Sequence, residues 1–369
     1  MQDTTPATIA IPEDARPSAT PLAQALGEDS ALQELAGASS LPLFHGTTQE
    51  LDALTQGVGV YDLGYRAQIA VGGGDRLRWL NGMLTGNVQG LAEGSGCYSF
   101  VLNAQGRIQG DADAYRLADR LLVLTDRAQL TALLAHFDRF IIMDDVTLDD
   151  VSAGHTALGL AGPRAPQLLA ALGLASLPQA SPGALWLVEA RLCGIPVQIT
   201  GGHPGPVPRF ELWCEPASAA VLWKILQTAG AAPCGLCAQE ALRVLCSIPR
   251  YGLDITGRDL PQETCQMRAL HFAKGCYLGQ EIVERIRSRG QVHRQLSQFV
   301  LSAEPATLPQ ELTAPGETAP VARVTSTALY KGTRYGLGIG RAEALERHST
   351  LDFTGGTATR LAHSPLSRS

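Results

Sequence analysis

Lys274-Gly275-Cys276-Tyr277-Leu278-Gly279-Gln280-Glu281 sets one thiol between two glycines, directly ahead of a run from Gln280 to Arg287 that suits a helix. Gly275 and Gly279 permit left-handed or tight backbone geometry, so the spacing places Cys276 close to a helix N-terminus. There the partial positive charge of the helix end, together with Lys274, favours the thiolate, the form that acts as nucleophile or metal ligand. The other reading of Cys276 is a small buried hydrophobe.

Outward from this stretch the pattern changes on either side. Beyond His293, Pro305, Pro309, Pro315 and Pro320 space short apolar runs such as Val321 to Val324 and Tyr335 to Ile339, which predicts a small all-β domain. Upstream, from Leu43, strands and helices alternate. Gln68 to Val71, Leu121 to Leu124, Thr156 to Leu160, Val197 to Thr200 and Phe210 to Trp213 read as strands. Leu77, Leu80 and Leu84 share one helical face, and Ala128 to Phe137 and Ala217 to Thr228 read as further helices. The class is mixed α+β without a simple βαβ series, and no repeat of solenoid or propeller length is visible.

A chain of 369 residues is long enough for two or three packed domains. With 45% hydrophobic and 17% charged residues it has the composition of a globular protein. A net charge of -6 gives no global footprint for nucleic acid, so direct nucleic-acid binding is disfavoured. Eight scattered cysteines lack the dense spacing of a secreted scaffold and read as reduced thiols. Residues 1–40 are rich in Ala, Pro, Ser and Thr, with Arg16 their single basic residue and no apolar run of signal or membrane length. They read as a disordered tail on a cytoplasmic protein with no membrane segment.

The pattern Lys-Gly-Cys-Tyr-x-Gly-Gln-Glu resembles the signature of the YgfZ family, as do Ile248-Pro249-Arg250-Tyr251-Gly252 and Leu260-Pro261-Gln262-Glu263. The resemblance extends from about Leu43 to the C-terminus. It implies aminomethyltransferase-like folate-binding domains with a C-terminal β-barrel, divided as 41–150, 151–295 and 296–369. It also implies an accessory role in assembling or repairing iron-sulfur clusters, with client enzymes that include those thiolating tRNA. Cys276 would carry that role with Lys274 tuning it, and Gly275, Tyr277, Gly279, Gln280 and Glu281 would complete the motif. The implied cofactor is tetrahydrofolate, held at Asp111, Arg243, Arg250 and Tyr251.

The wider superfamily includes the aminomethyltransferase of the glycine cleavage system, and against its pattern the sequence shows three departures. Gly110-Asp111 retains only the second of two adjacent aspartates, Pro206 stands where an acid grips the pterin, and Leu245 stands at a usual Glu. Transfer chemistry is therefore expected to be absent and folate to bind weakly, through its flat ring and its acidic tail. Arg285, Arg287, Arg289, His293 and Arg294 form the candidate tail site, unless Glu281 and Glu284 pair them as an ordinary helix face. Asp111 and Asp113 otherwise read as a solvated strand edge or turn. The Cys234-x-x-Cys237 pair lacks a second ligand pair, so no metal site is assigned. A folate-dependent aminomethyl transferase and a folate-sensing scaffold remain the alternatives.

Overall fold

Polar and apolar residues alternate along Ile108–Arg116, and in the computed structural model this stretch is an interior strand of a large sheet. The structure describes residues 17–27, 32–178, 183–203, 205–290 and 292–366. The first half runs α1 (Pro21–Leu26), β1 (Gln33–Leu35), β2 (Ala38–Ser40), α2 (Thr47–Gln56), β3 (Gly59–Asp62), β4 (Arg66–Gly72), α3 (Arg76–Met83), β5 (Ser95–Leu102), β6 (Ile108–Arg116), β7 (Leu121–Asp126), α4 (Arg127–Asp138) and β8 (Thr147–Asp150). Next come β9 (Thr156–Ala161), α5 (Ala165–Ala171), β10 (Leu185–Leu192), β11 (Ile195–Gly201), β12 (Arg209–Cys214), α6 (Ala219–Thr228), β13 (Ala232–Cys234), α7 (Leu236–Leu245) and α8 (Gln280–Arg289). The chain closes with β14 (Arg294–Leu301), β15 (Gln310–Thr313), β16 (Pro320–Tyr330), β17 (Thr333–Arg341), α9 (Ala342–Arg347), β18 (Thr350–Phe353) and β19 (Gly356–Arg360).

Among the described residues, eleven strands make one sheet in the order β13-β3-β9-β12-β11-β10-β5-β6-β7-β4-β8. Its pairings are antiparallel except that of β13 with β3. The strands and helices expected from periodicity appear, with α6 beginning at Ala219 after a short 3₁₀ turn. The expected division at residue 150 does not separate two sheets. β3 pairs with β9 and β13, so chain from both sides of that boundary shares one layer.

One face of the sheet packs Ala112 and Ala114 against Trp79 of α3 and Leu133 and Phe137 of α4. The other face joins Phe100 and Tyr115 to Leu242 and Leu245 of α7, and through them to Leu337 and Ile339 of the closed barrel β14-β17-β16-β15-β18-β19. Phe299, Leu312, Val324 and Leu351 fill the barrel interior. Arg243 and Asp254, both buried, ion-pair at 2.5 Å, and the Asp254 carboxylate accepts from the hydroxyls of Thr325 and Ser326. Gln298 Nε2 donates to the carbonyls of Val244 and Leu245 at the end of α7. The barrel is thus fastened by satisfied polar groups as well as by apolar area.

The expectation of a disordered tail through residue 40 is corrected for its described part. Residues 1–16 and 28–31 lie outside the described residues. Thr20 caps α1, and Leu22 is buried with Val60 and Trp223. The hydroxyls of Thr20 and Ser40 both donate to the carboxylate of Asp62, whose pKa burial raises against those same bonds. A composition average missed the few residues with partners elsewhere in the chain. No described helix is long and apolar enough to cross a membrane.

Candidate functional site

The pleat of β6 turns Asp111 and Asp113 to one face of the sheet and Gly110 to the other. On that first face a cavity of about 170 Å³ lies between the sheet and the segments following α7. Arg66 of β4, Tyr98 of β5, Asp126 at the end of β7, Arg209 and Glu211 of β12 and His203 line its sheet side. Gln239, Glu240 and Arg243 of α7, with Arg250, Tyr251 and Arg268 beyond it, supply the remainder. Five carboxylates face five arginines here, so the cavity is strongly polar and close to neutral.

Arg66 ties three strands together, through Asp113 at 3.1 Å, Asp126 at 3.1 Å and Glu211 at 3.6 Å. Asp111 accepts from the Tyr98 hydroxyl at 2.7 Å and from Gln129 Nε2 at 2.9 Å. Burial raises the pKa of Asp111, with the charge of Asp126 adding to it and the bonds from Tyr98 and Gln129 opposing it. Burial also raises Asp113, against the nearby Arg66 and Arg268. His203 is pulled down to about 3 by burial, so its imidazole is neutral. The guanidinium of Arg250 lies 5.3 Å from the Tyr65 ring centre and that of Arg268 lies 4.7 Å from the Tyr98 ring centre. Among the described residues, three inaccessible polar atoms on lining residues have neither a hydrogen bond nor an ion pair: Arg250 Nη1, Gln239 Oε1 and His203 Nε2. Arg250 Nη1 is a cationic donor and Gln239 Oε1 an acceptor, so the cavity offers both to a ligand carrying the complementary groups.

Asp113, His203 and Glu211 each place one ligand atom within 4.8 Å of the others, a donor set a divalent cation would accept. The Arg66 guanidinium, bonded to Asp113 and paired with Glu211, already supplies positive charge to both carboxylates.

All four residues assigned to folate by resemblance, Asp111, Arg243, Arg250 and Tyr251, line the cavity. Arg243 is less available than expected. Its nitrogens are committed to Glu240, Asp254, the carbonyl of Ile248 and Ser326, which makes it an anchor between α7 and the barrel. Arg250 keeps a free donor, having bonded Glu240 at 2.5 Å.

The readings of Gly110, of Asp111 with Asp113, and of Pro206 with Leu245 are corrected. A side chain at Gly110 would meet Gln129 Oε1 and Leu133 Cδ2, both at 2.8 Å, on the opposite face, so an acid there would not enter the cavity. Asp111 and Asp113 are not a solvated edge or turn; they belong to an interior strand, and Asp113 is buried. Neither Pro206 nor Leu245 lines the cavity, where Glu211 and Glu240 stand instead, and Leu245 is wholly buried in the core. The signal missed in the sequence is the period of two in Asp111-Ala112-Asp113 and in Arg209-Phe210-Glu211-Leu212, which sets charges on one face of an otherwise apolar strand.

The cysteine motif lies elsewhere. Cys276 is exposed, precedes α8 by four residues and is not among the residues lining the cavity. Gly279 has φ of +80°, and a Cβ there would meet the Asn103 carbonyl oxygen at 2.6 Å. Gly275 has no left-handed φ and has open space around it. Tyr277 is buried, its N–H donates to Gln280 Oε1 at 3.2 Å, and Glu281 pairs with Arg285 at 2.6 Å. The Lys274 ammonium donates to the carbonyls of Asn81, Leu84 and Gly86 at 2.5 to 2.7 Å, and burial lowers its pKa to about 8. Its role is therefore to fasten the motif to the loop after α3. The neighbouring thiol that acts on its charge is Cys97.

The basic cluster is largely paired, Arg285 with Glu281, Arg287 with Glu284, and Arg294 with Glu263 and Asp259. The side chain of Arg289 lies outside the described residues. Cys234 and Cys237 are free thiols, one buried beneath the carbonyl of Glu50.

Comparison with known proteins places these features in context. Residues 31–274 match the model of the GCVT N-terminal domain, a match whose last residue is Lys274. The aminomethyltransferase of Rubrobacter xylanophilus is 32% identical over 261 residues, 70% of this chain and 69% of that protein. A putative chloroplastic transferase of Arabidopsis thaliana is 27% identical over 298 residues, 80% of this chain and 67% of that protein. Among solved structures, the glycine cleavage system aminomethyltransferase T of Bartonella henselae superposes with a TM-score of 0.82 at 20% identity, covering 95% of this chain and 98% of that one.

Proposed function

The chain belongs to the family of the GCVT N-terminal domain, and from that premise we propose that it binds tetrahydrofolate in the central cavity and serves as an accessory factor for iron-sulfur enzymes through Cys276. Folate binding is supported by the cavity's unpartnered Arg250 Nη1 and Gln239 Oε1, by its carboxylates Asp111 and Glu211, and by the aromatic rings beside them. The accessory role rests on the resemblance of the Lys-Gly-Cys-Tyr-x-Gly-Gln-Glu stretch to the YgfZ signature, and one observation carries it. Cys276 is an exposed thiol on a loop that Lys274 and Gly279 fasten in place, away from the cavity. A transfer confined to the cavity has no use for it. An exposed, fixed thiol suits transient contact with a cluster or thiol on another protein.

Cells lacking this protein, complemented with Cys276→Ala, test the reading. Alanine replaces an exposed side chain of similar size, so the protein should accumulate normally while tRNA-thiolating enzyme activity stays at the level of the empty vector. Wild-type activity with the alanine variant would remove the thiol from the account.

One observation favours a second reading, folate-dependent aminomethyl transfer. Asp111 faces the cavity with a raised pKa, and the missing acid at Gly110 would not have faced it. Incubation of purified protein with an aminomethyl-loaded carrier protein and tetrahydrofolate separates the two. Turnover above the no-enzyme control that survives Cys276→Ala and fails with Asp111→Asn would establish transfer.

A further inference from the structure

Between α4 and β8 the chain carries Phe140-Ile141-Ile142-Met143, and its tip is bare: Ile142 is 82% exposed and Met143 95%. Two adjacent large apolar side chains so fully in water forfeit the burial that apolar area favours, and such exposure marks an interaction surface. The tip is held firmly at its base. Ile141 packs on the α3 and α4 core, and Trp79 Nε1 donates to the Phe140 carbonyl at 3.0 Å. The N–H of Asp75 donates to the Asp145 carbonyl, and that of Gly74 to Asp145 Oδ2. Gly73, with φ of +91°, allows this approach, since a Cβ there would lie 2.1 Å from the Asp145 oxygen. The loop is thus built to present Ile142 and Met143.

Its surroundings select the occupant. Asp138 and Asp145 flank the tip, and Asp149 follows on β8, the edge strand of the sheet, all exposed. Exposed Arg139 beside Phe140 and Arg78, paired with Asp75 and Asp144, are the cations of this rim, and Asp75, Asp138, Asp144, Asp145 and Asp149 outnumber them. An acidic rim repels nucleic acid and anionic membrane, and it repels a second copy of the same patch. We infer that the Phe140–Met143 tip with its aspartate rim is a docking surface for a basic partner protein that offers an apolar pocket. Resting on the function proposed above, that partner is an iron-sulfur enzyme acting on tRNA, since enzymes that grip RNA phosphates carry basic surfaces.

The test is calorimetric binding of the full chain to a purified tRNA-methylthiolating iron-sulfur enzyme at low and near-physiological salt. The wild type should bind more weakly as salt rises. The double variant Ile142→Asp with Met143→Asp, whose side chains touch solvent and whose melting temperature should not change, should lose about tenfold or more in affinity. Asp138→Lys with Asp149→Lys should abolish most of the salt dependence. Cys276→Ala should bind as wild type, so a failure of the thiol function in cells leaves this result intact. Wild-type binding by the tip variant, or no binding by the wild type, overturns the proposal. So does tip-dependent sedimentation with phosphatidylglycerol-containing vesicles, or tip-dependent self-association, which would assign the surface to lipid or to a second copy.

Discussion

Asp111 and Gly110 are neighbours in sequence and strangers in space, and the pleat of one strand decides which matters to a ligand. Because the Cβ of residue 110 would touch Gln129 and Leu133, Gly110→Asp should drive a carboxylate between β6 and α4. It should cost on the order of 3 kcal/mol, read as a lower denaturant midpoint at unchanged slope, without creating transfer activity. His203 gives a second residue-scale prediction. Its folded pKa of about 3 lies below the ordinary value of 6.5, so the native state binds fewer protons than the unfolded one between those limits. The stability this provides is complete above pH ~6.5 and is lost as pH falls toward 3. His203→Gln removes the titration, so the gap in unfolding free energy between variant and wild type should shift in the variant's favour from about pH 7 to about pH 4. Urea midpoints at the two values measure it. The residue that carries the motif was legible from its glycines and its helix. Its exposure was not, because sequence spacing places Cys276 near a helix end without saying which way the loop turns.

Strands were the most legible elements, since a period of two survives any tertiary arrangement, and the barrel announced itself through regularly spaced prolines. Which face of β6 and β12 meets the cavity was hidden. Alternation fixes two faces but does not name them, and the partner of Asp113 is Arg66, 47 positions earlier. Arg243 shows the same limit in reverse. A basic residue in α7 near the folate positions is readable, but its commitment to Asp254 and the barrel hydroxyl of Ser326 depends on where distant chain returns. Arg243→Met leaves the buried Asp254 without its cation and should destabilise by about 3 to 5 kcal/mol, whereas Asp254→Asn leaves Arg243 its pair with Glu240 and should cost less. The double variant should cost less than their sum, since each single change already abolishes the pair. Thermal or chemical unfolding of the four proteins checks this.

At the scale of the molecule, two functional features occupy separate places. The polar cavity lies against the inner face of the sheet, and the exposed thiol lies at the turn into α8, where the GCVT match has just ended. The cavity holds carboxylates that a residue-by-residue subtraction had counted as missing, and Arg285, Arg287 and Arg294 before the barrel are paired with glutamates and an aspartate. Folate recognition should therefore rest on the ring. Titration of tetrahydrofolate monoglutamate and polyglutamate into wild type, Asp111→Asn and Cys276→Ala at two salt concentrations tests this directly. The account predicts that the monoglutamate binds, with little dependence on salt or on added glutamates. Asp111→Asn should weaken it about tenfold, the ~1.4 kcal/mol of one charge-assisted hydrogen bond, while Cys276→Ala leaves it unchanged. Binding confined to polyglutamates, steeply weakened by salt and indifferent to Asp111→Asn, would contradict the account.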